Sequence, residues 1–200
     1  MNNGLFLPLS NYLVIFLNYI NLVEYFKSLL IGIFSNSDRL KVSRIAIDSF
    51  IILKFLFLII LMYFGINNCW VYVLVWYLLF SNIYTYFYYH IWKDDSNNNF
   101  HDTPERIRRR FINLGFSIVF SNLCFAFLYR YQYFYEFKWD YTSSLDSQAI
   151  WYSIANSLAV GYKPVEALGK IGADISTFQL TISFVFLTMI LSNSIPKSNN

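Results

Sequence analysis

Side chains that could carry out chemistry are few in this chain of 200 residues, and they are scattered. His90 and His101 are isolated, and neither has another metal ligand near it in the sequence. Cys69 and Cys124 lie in or beside different apolar blocks, where a cysteine typically serves as a small apolar side chain. The sequence contains no phosphate-binding loop, zinc pattern or nucleophile elbow. We therefore predict that the protein is not an enzyme and holds no cofactor.

Lys54 is the one lysine near the middle of an apolar block, which covers residues 45–66. An ionisable side chain at the centre of a membrane span costs about 2.5–3.5 kcal/mol and is a functional candidate. Glu24, just after the first apolar block, is a candidate partner, whereas Asp48 lies on a different helix face from Lys54. One alternative is a functional intramembrane charge. The other is a structural role, in which Lys54 forms an ion pair between helices or extends to the membrane surface.

The composition is that of an integral membrane protein. Hydrophobic residues make up 56% of the chain and charged residues 14%, compared with about 25% charged residues in soluble domains. The apolar residues come in long blocks, which is typical of spanning helices. The net charge of +3 is small and its basic residues cluster beside the blocks, so we predict membrane topology signals and no nucleic-acid partner.

Five apolar blocks are long enough, at roughly 20 residues each, to cross a membrane. We therefore predict an all-α membrane protein with about five transmembrane helices. The blocks cover residues 5–23, 45–66, 69–92, 111–134 and 175–191.

Basic loops set the expected orientation, because lysine and arginine concentrate on the cytoplasmic side. The two basic loops, residues 35–44 and 93–110, are separated by two crossings and are both predicted to be cytoplasmic. The N-terminus and the Asn67-Asn68 turn are then outside, and the C-terminal tail with Lys197 is inside. This is the topology expected of a multi-pass protein in the plasma membrane.

Arginines crowd together before the fourth block and are not spaced every third residue through an apolar span, as in a voltage sensor. We predict a topology anchor that contacts anionic lipid. These residues are Arg106, Arg108, Arg109 and Arg110.

Residues 149–163 run without a gap from Trp151 and Ser153 into Val160, Gly161 and Tyr162. Through these five residues the segment resembles the pore helix and selectivity filter of potassium channels. In that family, backbone carbonyls of the filter replace the water shell of a potassium ion. The resemblance implies a homotetramer, because one filter segment per chain cannot close a ring. It also implies a filter of Ala159, Val160, Gly161, Tyr162 and Lys163, with potassium at the carbonyls of the first four.

The resemblance divides the chain into an N-terminal membrane region of three helices, 1–110, and a pore domain, 111–200. The pore domain comprises an outer helix at 111–134, a re-entrant pore helix and filter at 147–163, and an inner helix at 175–191. Ser144 or Asp146 is expected to cap the pore helix. The negative end of the helix dipole would then favour a cation in the cavity.

Hydroxyl side chains recur on one face of the predicted inner helix, because they are spaced 4, 7 and 4 residues apart. Such a stripe indicates the lining of an aqueous cavity, and helix–helix packing is the alternative. The stripe consists of Thr177, Thr181, Thr188 and Ser192, and Phe184 shares its face.

Departures from the family pattern surround the matched residues. Ala159 replaces a threonine whose hydroxyl adds to the innermost ion site, and Lys163 replaces a glycine at a cost of roughly 1 kcal/mol. Glu166 is expected to offset part of the lysine charge. Ala155 and Pro164 stand where bracing carboxylates are common, so packing of Trp151 and Tyr152 on Tyr162 is the expected support.

Three functions follow as hypotheses. The first is a tetrameric potassium-channel-like cation channel. The second is a channel relative with altered selectivity or a subunit that does not conduct. The third is a membrane scaffold or membrane enzyme without a pore.

Overall fold

The computed structural model describes residues 6–34, 38–87 and 104–194, and within these ranges the chain is mostly helical. A π-helical turn, a 3-10 turn and two short strands interrupt the α-helices. In chain order the elements are α1 (Phe6–Tyr19), α2 (Leu22–Ile33), α3 (Arg39–Phe64), α4 (Cys69–Phe87), α5 (Pro104–Phe127), the π turn (Leu128–Gln132), the 3-10 turn (Phe134–Glu136), β1 (Phe137–Trp139), α6 (Leu145–Ser157), β2 (Val165–Ala167) and α7 (Lys170–Ser194).

Four described helices are long and apolar enough to cross a membrane. Their apolar faces are widely exposed, with Ile52, Tyr63 and Phe116 each about half or more exposed, as lipid-facing side chains would be. This is compatible with the predicted all-α membrane protein. The candidate spans are Lys41–Phe64, Cys69–Tyr86, Phe111–Gln132 and Lys170–Thr188.

The first apolar block, 5–23, does not form one spanning helix, because α1, of 14 residues, ends at Tyr19 and α2, of 12 residues, begins at Leu22 and continues to Ile33. The break follows from Asn21, whose side chain accepts a hydrogen bond of 3.2 Å from the Val23 N–H and begins a new helix. Helix α1 is about 21 Å long, which is shorter than the roughly 30 Å of a bilayer core. The sequence could have indicated this helix start, because Asn21 is followed three residues later by Glu24, a pattern that resembles a capping box.

The chain divides into two compact units, Met1–Phe57 with Phe80–Phe100, and Leu58–Leu79 with His101–Asn200. In the first unit, the Tyr84 hydroxyl donates to the Val14 carbonyl at 2.8 Å. The rings of Phe26 and Phe50 lie 5.7 Å apart in the same unit. These contacts fasten α1 to the end of α4 and α2 to α3.

The second unit is built on the packing of α5, α6 and α7. The largest of its buried side chains lie along the end of α5 and on the inner face of α7, and Trp76 contacts two of the rings there. The fully buried aromatic residues of this core are Phe120, Phe125, Phe127 and Tyr129, and Phe186 is 2% exposed.

Short elements at one end of this unit connect α5 to α6 and α6 to α7. Strands β1 and β2 pair antiparallel, with Lys138 opposite Glu166 and Trp139 opposite Val165. No strand was predicted here from the sequence, because three alternating residues are too few to be distinguished from a loop. The pair brings the chain before α6 next to the chain after it.

Candidate functional site

Helix α6 begins at Leu145, with Ser144 in the N-cap position, but the Ser144 side chain makes no capping hydrogen bond. Asp146 lies in the first turn, and its Oδ1 accepts from Arg130 Nε at 2.9 Å. The π turn carries Arg130, whose guanidinium also lies 5.2 Å from the ring centres of Tyr131 and Phe134. Arg130 therefore ties the end of the outer helix to the start of α6.

Helix α6 ends in a Schellman motif, which turns the chain into residues 160–163. The Val160 N–H donates to the Ala155 carbonyl at 2.9 Å, and the Ala159 N–H donates to the Asn156 carbonyl at 3.0 Å. Ala159 has a φ of 56°, the left-handed conformation that favours glycine. An alanine therefore occupies a position with a backbone cost of roughly 1 kcal/mol.

Residues 160–163 form an open segment, outside the helices and strands, at the surface of the second unit. Val160 is 60% exposed, and nothing lies within 4 Å of the position that a Cβ on Gly161 would take. The Tyr162 carbonyl accepts a hydrogen bond of 3.1 Å from the Val165 N–H, while the Pro164 carbonyl accepts from the Asp140 N–H at 3.0 Å. The carbonyl of Tyr162 thus already has one donor from its own chain.

Lys163 is exposed and lines an open cleft of about 460 Å³ at the end of the strand pair. Lys138, Asp140 and Glu166 share this cleft. Within the described part of the chain, no ion pair joins Lys163 to either acid. The cleft holds two basic and two acidic side chains, and the offset of the Lys163 charge by Glu166 stays a prediction.

The predicted aromatic support takes a different form. Tyr152 packs against Tyr129 and Phe137, with ring centres 5.1 and 5.4 Å away, and its hydroxyl lies 2.9 Å from Ser176 Oγ. Burial raises the pKa of the Tyr152 phenol above its ordinary value, so the hydroxyl remains protonated at neutral pH. Neither Trp151, which is 55% exposed, nor Tyr162 makes a ring contact among the described residues.

A buried network of uncharged polar side chains joins α6 to α5 and α7, and it was not predicted from the sequence. Gln179, which is fully buried, bonds to Ser153 on α6. The sequence could have indicated this network, because amide side chains are rare in an apolar span and need hydrogen-bond partners there. Besides Gln179 and Ser153, the network contains Asn122, Tyr129, Asn156 and Ser176.

The predicted stripe on the inner helix lies on an exposed face of α7. Phe184 is 63% exposed, and Thr177, Thr181 and Thr188 are exposed as well. Each threonine hydroxyl donates to a carbonyl of its own helix at 2.8–2.9 Å. The side chain of Ser192 lies outside the described residues. The stripe therefore faces away from its own unit, and its role as a lining stays a prediction.

The predicted intramembrane charges are both partnered. Lys54 Nζ donates to Asn82 Oδ1 at 2.6 Å, so a buried amide is one of its partners. Glu24 pairs with Lys27 at 3.0 Å, one turn along α2. The two charges lie in the same unit, but Glu24 is not the partner of Lys54.

The arginine cluster lies in the first turns of α5, which begins at Pro104 and not at residue 111. Arg108 is exposed, and Arg109 is partly buried. The side chains of Arg106 and Arg110 lie outside the described residues, as do Lys197 and the two histidines. A proline at the first helical position is a helix-start signal that accounts for the earlier beginning.

Comparison with family models, with curated proteins and with solved structures found no match to this chain. The resemblance to potassium channels predicted from residues 149–163 therefore stays a prediction.

Proposed function

We propose that the protein is a tetrameric, potassium-channel-like cation channel of the plasma membrane. The observation that carries this proposal is the position of α6 and residues 158–163 between two candidate spans, Phe111–Gln132 and Lys170–Thr188. With 13 residues, α6 is about 20 Å long and too short to cross a bilayer. A short helix that ends in an open segment is the form of a re-entrant pore loop.

Four copies would surround a central axis, and each would contribute one filter segment. The carbonyls of Ala159, Val160, Gly161 and Tyr162 would then replace the water shell of a permeant potassium ion. Thr177, Thr181, Phe184 and Thr188 would line the cavity below. Val160 is 60% and Phe184 63% exposed in a single chain, so both side chains are accessible to the central axis and to neighbouring copies in this arrangement.

The proposed topology has five crossings, with the N-terminus outside and the C-terminus in the cytoplasm. The side of the membrane on which the filter lies follows from α3 to α7 alone, because the basic loops that set the orientation directly precede α3 and α5. The first crossing would be made by the broken pair α1 and α2. The arginines at the start of α5 would contact anionic headgroups of the inner leaflet.

Potassium flux into liposomes that contain the purified protein tests the proposal. We expect potassium flux only into liposomes that contain the protein, and we expect it to exceed the sodium flux. An absence of flux over a range of pH and membrane potential would refute a conducting homotetramer. Empty liposomes and liposomes with heat-denatured protein are the controls.

A relative with altered selectivity, or a subunit that does not conduct, is the second candidate. Lys163 at the mouth and the hydrogen bond that the Tyr162 carbonyl already accepts both favour it. Replacement of Lys163 by glycine separates the candidates. If Lys163 limits conduction, Lys163→Gly raises the flux severalfold, whereas unchanged flux and selectivity remove Lys163 as the determinant.

A further inference from the structure

We propose that Gln179 is a positioning residue that holds the pore helix α6, and through it the filter, at a fixed depth and rotation. The proposal rests on the channel function proposed above. It addresses the absence of the family's bracing carboxylates at Ala155 and Pro164. The structure offers an amide on the inner helix as the group that supports α6 from behind.

The Gln179 side chain is fully buried near the middle of α7, and its amide uses both ends. Its Nε2 donates to the Ser153 carbonyl at 2.8 Å and to Ser153 Oγ at 2.7 Å, and it also lies 3.2 Å from Asn122 Oδ1. Its Oε1 accepts from the Tyr129 hydroxyl at 2.7 Å and from Asn156 Nδ2 at 2.9 Å. The amide is therefore fully satisfied, with two hydrogens shared among three acceptors.

The partners of Gln179 belong to both of the other elements that pack in this unit. Ser153 and Asn156 lie on α6, whereas Asn122 lies on α5 and Tyr129 on the π turn. Ser153 Oγ also donates to the Asn122 carbonyl at 2.7 Å, which closes a triangle among the three helices. A rotation of α6 about its axis would break several of these bonds together.

Asn156 connects the network to the turn that begins the filter. Its side chain donates to the Ser176 carbonyl at 2.9 Å, while its own carbonyl accepts from the Ala159 N–H. The residue that Gln179 holds is thus part of the Schellman motif that directs residues 160–163. Because the network is uncharged, its own hydrogen bonds should not change with pH, whereas the ion pair of Arg130 with Asp146 holds the start of α6 through charge.

The test uses the full-length protein with Gln179→Leu, and Ser183→Ala as the matched control. Ser183 lies one turn along the same helix, and its hydroxyl bonds only to the Gln179 carbonyl in the described part of the chain. Hydrogen exchange of residues 145–163 measures how firmly α6 is held. We expect roughly tenfold faster exchange in Gln179→Leu, as for the loss of one or more buried hydrogen bonds, and no change in Ser183→Ala.

A second readout separates positioning from general stability. The ratio of potassium to sodium flux, normalised to folded protein, should fall at least severalfold in Gln179→Leu and stay unchanged in Ser183→Ala. A variant that is only less stable would lower the amount of folded protein without changing this ratio.

A milder variant keeps the test decisive if Gln179→Leu does not fold. Ser153→Ala removes one acceptor of Gln179 and one donor to α5, and it should increase exchange in 145–163 by a smaller factor. Equal exchange in the folded variants and in Ser183→Ala would overturn the positioning role. If the wild type carries no flux, the channel proposal fails, while the exchange comparison still decides whether Gln179 holds α6.

Discussion

Gly65 and Ala159 occupy the same position in two helix ends of this protein. Each follows an α-helix, has a φ near 60° and donates its N–H back to the preceding turn. The Ile66 N–H then bonds to the Leu61 carbonyl, as the Val160 N–H bonds to Ala155, so both ends are Schellman motifs. Glycine is the usual residue there, and Ala159 is the exception at the start of the filter segment.

Replacement of Ala159 by glycine should make the protein more stable. The left-handed conformation costs alanine roughly 1–2 kcal/mol in the folded protein. Glycine removes this cost, but its greater freedom stabilises the unfolded chain by about 0.5–1 kcal/mol and so cancels part of the gain. We expect a gain of about 0.5–1 kcal/mol for Ala159→Gly in thermal unfolding of the detergent-solubilised protein.

The matched control is Gly65→Ala, which should lose about 0.5–1 kcal/mol, because it creates the same strain in the other helix end and the lower freedom of alanine in the unfolded chain offsets part of that strain. A loss of stability in Ala159→Gly would mean that the Ala159 methyl group makes contacts in the assembled protein that exceed its backbone cost. The comparison therefore also reports on whether this exposed residue becomes covered.

At the scale of elements, α7 approaches the chain before α6 closely at Gly172. A Cβ on Gly172 would lie 2.5 Å from the Glu136 carbonyl oxygen and 3.2 Å from the Ala167 Cβ. The 3-10 turn and β2 therefore fit against the start of α7 only because residue 172 has no side chain. This contact holds the outer connections of the second unit in place.

Gly172→Ala should destabilise the protein by about 1–3 kcal/mol, because backbone atoms must move to admit the methyl group. Gly115→Ala is the control, since nothing lies within 4 Å of its added Cβ and alanine favours a helix by about 0.5–1 kcal/mol. Thermal unfolding of both variants measures the difference. Equal stability of the two would show that α7 can shift without cost.

The long apolar elements were predictable from the sequence, and the local features that shape the site were not. Blocks 45–66, 69–92, 111–134 and 175–191 each overlap a candidate span among the described residues, whereas block 5–23 overlaps none, because length and apolarity alone define a span. Helix ends were less predictable, since a single residue decides each one. Pro104 acts through its fixed φ, and Asn21 acts through one side-chain hydrogen bond. The partners of Gln179 depend on which helix faces meet, and the spacing within one helix does not contain that information.

At the scale of the whole molecule, Cys69 reports the side on which the α3–α4 connection lies. It is exposed at the start of α4, whereas Cys124 is buried. The proposed topology places this connection outside, so a membrane-impermeant maleimide should label the protein in intact cells. Cys69→Ser should abolish the labelling, and labelling that appears only after permeabilisation would reverse the proposed orientation.

Assembly into four copies is the property on which the channel proposal depends most. Trp151 on α6 is 55% exposed in a single chain, and it makes no ring contact among the described residues. Large side chains in that state commonly anchor an interface, where truncation costs about 2 kcal/mol or more. We therefore expect the purified protein to be a tetramer that Trp151→Ser dissociates without unfolding the monomer.

Native mass spectrometry in a mild detergent measures this, together with helical content from circular dichroism. Trp70→Ser is the matched control, because Trp70 is 83% exposed at the start of α4 and lies far along the chain from α6. It should leave the tetramer intact. A wild-type protein that is monomeric under these conditions would remove the basis for a closed filter ring, and would favour a membrane scaffold or enzyme instead.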